Sequence, residues 1–152
     1  MLAPALRRTT GADPIFQQLI PPLDADLAIR DGADHAFYAR LNGSLTLAHA
    51  VVAAIDERPV GIGAFKVLAP DVIEIKRMFV APAHRGHGIA SRVLAELEAW
   101  ARGLGATRAR LETGVRQPEA IALYLKRGYQ PIANYGPYVD VATSRCFEKM
   151  IA

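Results

Sequence analysis

The chain is 152 residues long, 51% hydrophobic and 22% charged, with a net charge of +3. That length supports one domain with a real core, and so small and scattered a charge excludes the basic stripe of a nucleic-acid binder. The lone Cys146 excludes a disulfide framework, suits a reducing compartment and reads as a small buried apolar residue.

In chain order, residues 5–9 read as a short strand. Arg7 and Arg8 follow the apolar start, the reverse of a secretory signal. Asp13 caps a helix through Leu19, which Pro21-Pro22 breaks. A second helix or turn-rich segment covers 23–30 and ends at Asp31-Gly32. Residues 33–44 carry His35, Phe37 and Tyr38 without a clear period, so they are either a packed surface loop or a wall of a substrate pocket. Two strands over 45–55 and 60–68 flank Asp56-Glu57-Arg58-Pro59 as a hairpin turn. The first of them is too short to cross a bilayer, and we expect a cytoplasmic protein with no membrane partner. Gly61 and Gly63 in the second strand mark a bulge or a close backbone contact rather than a nucleotide loop.

Residues 72–80, VIEIKRMFV, are β-branched and aromatic enough for a strand. Pro82 ends it, and Arg85-Gly86-His87-Gly88 leads straight into a helix with Ile89, Val93, Leu97 and Trp100 on one side. Gly103 and Gly105 stop that helix. Another strand covers 107–113. A short helix over 119–127 starts at Pro118 and closes at Gly128. Strands at 129–132 and 143–150 finish the chain around a loop from Asn134 to Asp140. Strand, helix and strand in the middle of a run of strands is a mixed α+β layout with a central parallel element.

Glycines between a strand and a helix turn backbone amides outward at the positive end of the helix dipole, a ready anion site. The turn has no third glycine for a dinucleotide fingerprint, and no Gly-Lys-Ser/Thr for a P-loop occurs in the chain. Arg85-Gly86-His87-Gly88-Ile89-Ala90 after Val80-Ala81-Pro82 closely resembles the acyl-CoA signature of the GNAT N-acetyltransferases, Arg/Gln-x-x-Gly-x-Gly/Ala. Arg85, Gly88 and Ala90 fall on its defined positions. The resemblance is convincing over residues 45–150, taken as the acyl-CoA core of a single domain spanning 1–152. Residues 1–44 form its substrate side.

The resemblance implies a GNAT-like fold, with two central parallel strands splayed to admit pantetheine. It implies acetyl-CoA as acyl donor, bound by the backbone of Met78, Phe79 and Val80 and by the turn Arg85, Gly86, His87, Gly88, Ile89 and Ala90. Glu74, six residues before Val80, matches the glutamate that serves several members as general base, and Glu112 on the neighbouring strand competes for that role. A lysine-like amine, of pKa about 10.4, is only roughly one part in a thousand neutral at neutral pH, so a base matters. Gln117 to Tyr129 resembles the family's Asn-x-x-Ala-x-x-Leu-Tyr-x-x-x-Gly-Phe segment, which makes Tyr124 the general acid for the leaving thiolate. Gln117 replaces the usual asparagine, keeping the amide but moving it by a methylene.

Lys76, Arg77 and Arg110 would put positive charge near the acceptor, favouring a small-molecule amine that also carries a carboxylate. Tyr138, in the tyrosine-rich loop, is expected to cover that acceptor beside Arg77 and Glu112. No His, Cys or Asp grouping has metal-ligand spacing, so no metal is expected. The alternative is a non-catalytic acyl-CoA sensor of the same fold. Open sheet edges allow a homodimer.

Overall fold

The computed structural model describes residues 3–41 and 43–152. Its strands are β1 (Ala5–Thr9), β2 (His49–Ile55), β3 (Arg58–Ala69), β4 (Val72–Val80), β5 (Arg108–Gly114), β6 (Gln130–Ile132) and β7 (Ser144–Met150). Its helices are α1 (Pro14–Gln17), α2 (Ile20–Asp31), α3 (His35–Leu41), α4 (Ile89–Gly103) and α5 (Pro118–Lys126). The strands form one open seven-stranded sheet in the order β1-β2-β3-β4-β5-β7-β6. Every neighbouring pair is antiparallel except β4 and β5, which run parallel.

The alternation along each strand sends side chains to two different layers. Val51, Phe65, Ile73 and Ile75 meet α4 through Val93, Leu94 and Leu97. Ala50, Val52, Ile62 and Phe79 leave the opposite face and pack under α1 and α2 against Phe16 and Leu23. Burying each such large side chain contributes roughly 1.5–3 kcal/mol before the entropy of ordering is subtracted. A third, smaller cluster joins Tyr38, Tyr138 and Cys146, and Cys146 is the expected buried free thiol.

Gly61 and Gly63 are close-contact glycines, as expected, because α4 lies directly on β3. A Cβ at Gly63 would come within 2.8 Å of Val93 Cγ1, and one at Gly61 within 2.7 Å of Ile89 Cγ2. The hairpin between β2 and β3 turns on Asp56 and Glu57, both at positive φ, which matches the twist of a two-residue loop.

Two local expectations need correction. Pro21 and Pro22 do not simply break a helix: they occupy the first turn of α2, where a missing N–H costs nothing. Residues 33–41 are not a packed surface loop but helical, and Tyr38 among them lines a cleft. A 3-10 turn at Gly32–Asp34 runs into α3. The helix is too short for its period to stand out, and tertiary packing of Tyr38 holds it in place.

Candidate functional site

The site begins with a defect in β4. Arg77 takes φ 59°, in the left-handed region. The pairing with β3 slips there, from Ile62 opposite Phe79 to Ala64 opposite Lys76. Such a bulge bends a strand away from its neighbour. On the other side, β4 and β5 stay paired only over Val72–Glu74 and Arg108–Arg110. Past that point the strands part.

Two cavities that share lining residues lie in and beside the gap. A cleft of about 100 Å³ lies between Ile75–Met78 on β4 and Glu112–Gly114 on β5, and α2, Tyr38 and Tyr138 close it. A groove of about 400 Å³ runs from Met78–Val80 along the turn before α4 to the start of α5. Tyr124, Met78, Gln117, Ala120 and Leu23 line both, so they stand where cleft meets groove.

The groove is built for an anion at one end. Gly86 and Gly88 have φ 82° and 77°, and a Cβ at either would point into open space. No side chain caps α4, and its first backbone bond, from the N–H of Arg92 to the carbonyl of Gly88, leaves the preceding amides free for a ligand. Arg85 lines the groove; its Nε donates to the Val80 carbonyl at 2.9 Å and its guanidinium covers the Phe79 ring. Ala90 lines the groove, and Ile89 does so while burying its side chain in the core. His87 does not belong with them. It is exposed and absent from the groove wall, where His84 stands instead, because the turn points residue 87 outward.

The cleft holds the titratable groups. Glu74 is buried, accepts a hydrogen bond from the Tyr135 hydroxyl and pairs with Lys76 at 3.4 Å. It is not the exposed carboxylate that its place on a strand suggests. Glu112 accepts from Ser144 Oγ at 2.6 Å, and Ser144 in turn meets the Tyr38 hydroxyl at 2.8 Å. Burial pushes the Glu112 carboxyl from 4.5 up to about 7, against a smaller lowering by the Ser144 hydroxyl. Burial, with the nearby Glu112 charge, pushes the Tyr124 phenol well above its ordinary value, so Tyr124 is a protonated donor at neutral pH. Asp31, at the end of α2, is buried in the same cleft, and burial raises its carboxyl too.

The cations are committed differently from the sequence expectation. Arg110 pairs with Glu148 at 2.7 Å and covers the Tyr135 ring, so its charge is taken up away from the cleft. Lys76 lines the cleft and reaches the Tyr138 hydroxyl at 3.4 Å. Arg77 lines it as well, and its Nη2 donates to Asp24 at 2.6 Å. Tyr38 and Tyr135 lie in the two aromatic segments that the sequence offered as walls or cover of an acceptor pocket, whereas Ser144 and Asp31 carried no sequence signal.

The sequence profile of the acetyltransferase (GNAT) family matches residues 14–129. The chain belongs to the GNAT acetyltransferase family. Its fold matches a crystal structure of a candidate acyl-CoA N-acyltransferase from Klebsiella pneumoniae, with a TM-score of 0.82, 30% identity and 98% of each chain covered. It also matches an N-acetyltransferase from Thermoplasma acidophilum in complex with coenzyme A, at TM-score 0.72, 16% identity and 99% of each chain. Among curated proteins it is 45% identical over 76 residues to an IAA acetyltransferase of Azospirillum brasilense, a stretch covering 50% of either protein. The chain thus spans about half the length of that relative. The splayed β4–β5 pair and the turn before α4 of this GNAT protein lie inside the matched region. No helix among the described residues is long and apolar enough to cross a membrane.

Proposed function

We propose that this GNAT protein moves an acetyl group from acetyl-CoA directly to the primary amine of a small molecule. The observation that carries the reading is Tyr124, which lines both the groove that fits the donor and the cleft that fits the acceptor. Related support comes from a GNAT acetyltransferase of Elizabethkingia anophelis, TM-score 0.68 and 17% identity, whose structure has acetyl-CoA bound.

In this reading the free amides of the Gly86–Ala90 turn take the pyrophosphate, and Arg85 adds positive charge beside them. Pantetheine lies against the freed edge of Met78–Val80 like an added strand, with Gln117 across the groove. A backbone N–H of that edge faces the thioester carbonyl oxygen as negative charge develops on it. The amine enters the cleft, loses a proton to a carboxylate and attacks the carbonyl carbon. The C–N bond forms, the C–S bond breaks, Tyr124 gives its proton to the departing thiolate, and the second proton shed by the nitrogen restores the Tyr124 hydroxyl. Two carboxylates are placed to act as base. Glu74 is held by Tyr135, while Glu112, at about 7, is tuned to exchange a proton near neutrality. Tyr138 closes the acceptor side.

Calorimetric titration with acetyl-CoA, with ATP and NADH as controls, tests the donor. Micromolar binding of acetyl-CoA alone supports it. Binding of ATP or NADH in its place removes the basis of the reading.

A further inference from the structure

Arg77 is a buried charged side chain of the cleft whose bonding among the described residues is incomplete. Its side chain is 1% exposed, and among the described residues its ion pair runs from Nη2 to Asp24, a carboxylate that is itself half exposed. Nε and Nη1 are buried and meet no acceptor among the described residues. Arginine stays charged at any working pH, so these donors cannot be silenced by losing a proton. Leaving them without acceptors in a buried place is costly, and such a cost marks a position awaiting a ligand. The positive φ at Arg77 adds to it, because a bulky side chain rarely adopts that backbone.

The opposite wall carries the reverse charge. Glu112 on β5 has a neutral hydroxyl, Ser144, as its hydrogen-bond partner, and Asp31 lies in the same cleft. Glu74 differs, since Lys76 and Lys66 lie at 3.4 and 3.8 Å from it. The cleft is therefore polarised from Lys76 and Arg77 on β4 to Glu112 on β5 and Asp31 at the end of α2. We propose that the acceptor is an amino acid whose carboxylate is held by Arg77 and whose amine faces Glu112. This rests on the acetyl-transfer reading and adds its substrate class. A guanidinium recognises a carboxylate by charge-assisted hydrogen bonds. A polyamine would leave those donors unmet.

The test is acetyl-CoA-dependent thiol release with the L-amino acids, each beside its own carboxamide, and with putrescine and spermidine. The carboxamide keeps the side chain and a primary amine, removes the negative charge and leaves that amine less basic, so a preference for the free acid would not arise from easier deprotonation of the amine. The expected result is a free amino acid used at least tenfold more efficiently, by kcat/KM, than its carboxamide or either polyamine. In R77Q, KM for that amino acid should rise about tenfold, and its advantage over the carboxamide should shrink to within a few-fold. The wild-type comparison stands even if the variant does not fold. Carboxamides or polyamines used as well as free amino acids would overturn the inference and leave acetyl transfer intact. Turnover of no probe despite acetyl-CoA binding overturns the inference as well, and loss of acetyl-CoA binding removes both.

Discussion

Tyr124 and Glu112 illustrate how burial sets chemistry at single residues. Tyr124 is buried against the aromatic ring of Tyr129, and both desolvation and the Glu112 charge hold its proton on. A phenol in that setting can donate only when an anion forms next to it, which is what a leaving thiolate does. Tyr124→Phe is expected to lower kcat roughly a hundredfold or more while acetyl-CoA affinity changes less than threefold. A drop of only a few-fold would remove Tyr124 from the mechanism. Glu112 supplies a second prediction, on stability. Its folded carboxyl titrates near 7 against an ordinary 4.5, so the folded state keeps a proton that the unfolded chain has lost. The stabilising contribution is complete below pH 4.5 and is lost as pH rises to about 7, by about 3 kcal/mol in all. Denaturant unfolding at pH 5 and pH 8 should show wild type losing more stability over that interval than Glu112→Gln. Equal losses would mean that Glu112 is not strongly desolvated.

At the scale of elements, the site depends on α4 lying against β3 and on β4 bending away from β5. The first condition is met by glycine. Gly63 faces Met78, Val93 and Leu97, and a Cβ there would stand 2.5, 2.8 and 2.9 Å from their atoms. Met78 and Leu97 can swing aside, but Val93 has few rotamers in a helix. Gly63→Ala is therefore expected to destabilise by about 1–3 kcal/mol and to weaken acetyl-CoA binding by displacing Met78, which lines both cavities. Denaturation and calorimetry on the same variant check both. Unchanged stability would show that α4 yields without cost. The second condition is met by the bulge at Arg77, which puts Lys76 and Arg77 within reach of the cleft. The loop after β6 then latches Tyr135 onto Glu74 and Tyr138 beside Lys76.

Across the whole molecule, the groove proposed for the donor is assembled from segments far apart in sequence: the end of β4, the turn at 84–91 and the start of α5, with Asp26 and Arg30 of α2 also lining it. Arg30 reaches Glu119 at 2.9 Å and so ties α2 to α5, although Glu119 is exposed and such a pair adds little stability. Hydrogen exchange should report this assembly. Acetyl-CoA is expected to slow exchange together at 78–80, 86–91 and 117–124, and to leave β1 and β2 unchanged. Protection spread evenly over the sheet would point to global stabilisation instead of a defined groove.

Much of this was legible in the chain itself, for reasons of local geometry. Apolar spacing at three and four residues marked α4, alternation and β-branching marked the long strands, and positive-φ glycines beside an arginine marked the anion turn. Those features are short-range, so a stretch of sequence carries them whole. The site's chemistry was only half legible. Glu74, Glu112 and Tyr124 were singled out through the resemblance to the GNAT family, but whether each was buried, paired or charged depended on chains that fold back from elsewhere. Tyr135 and Ser144 approach Glu74 and Glu112 from the last quarter of the chain, and Tyr38 from the first. Arg110 carries the same charge as Arg77, yet Glu148 takes it up. Charge type is a property of the residue. Desolvation and partnership belong to the packed whole, and only the tertiary structure decided which arginine lines the cleft between β4 and β5 and which is paired away from it.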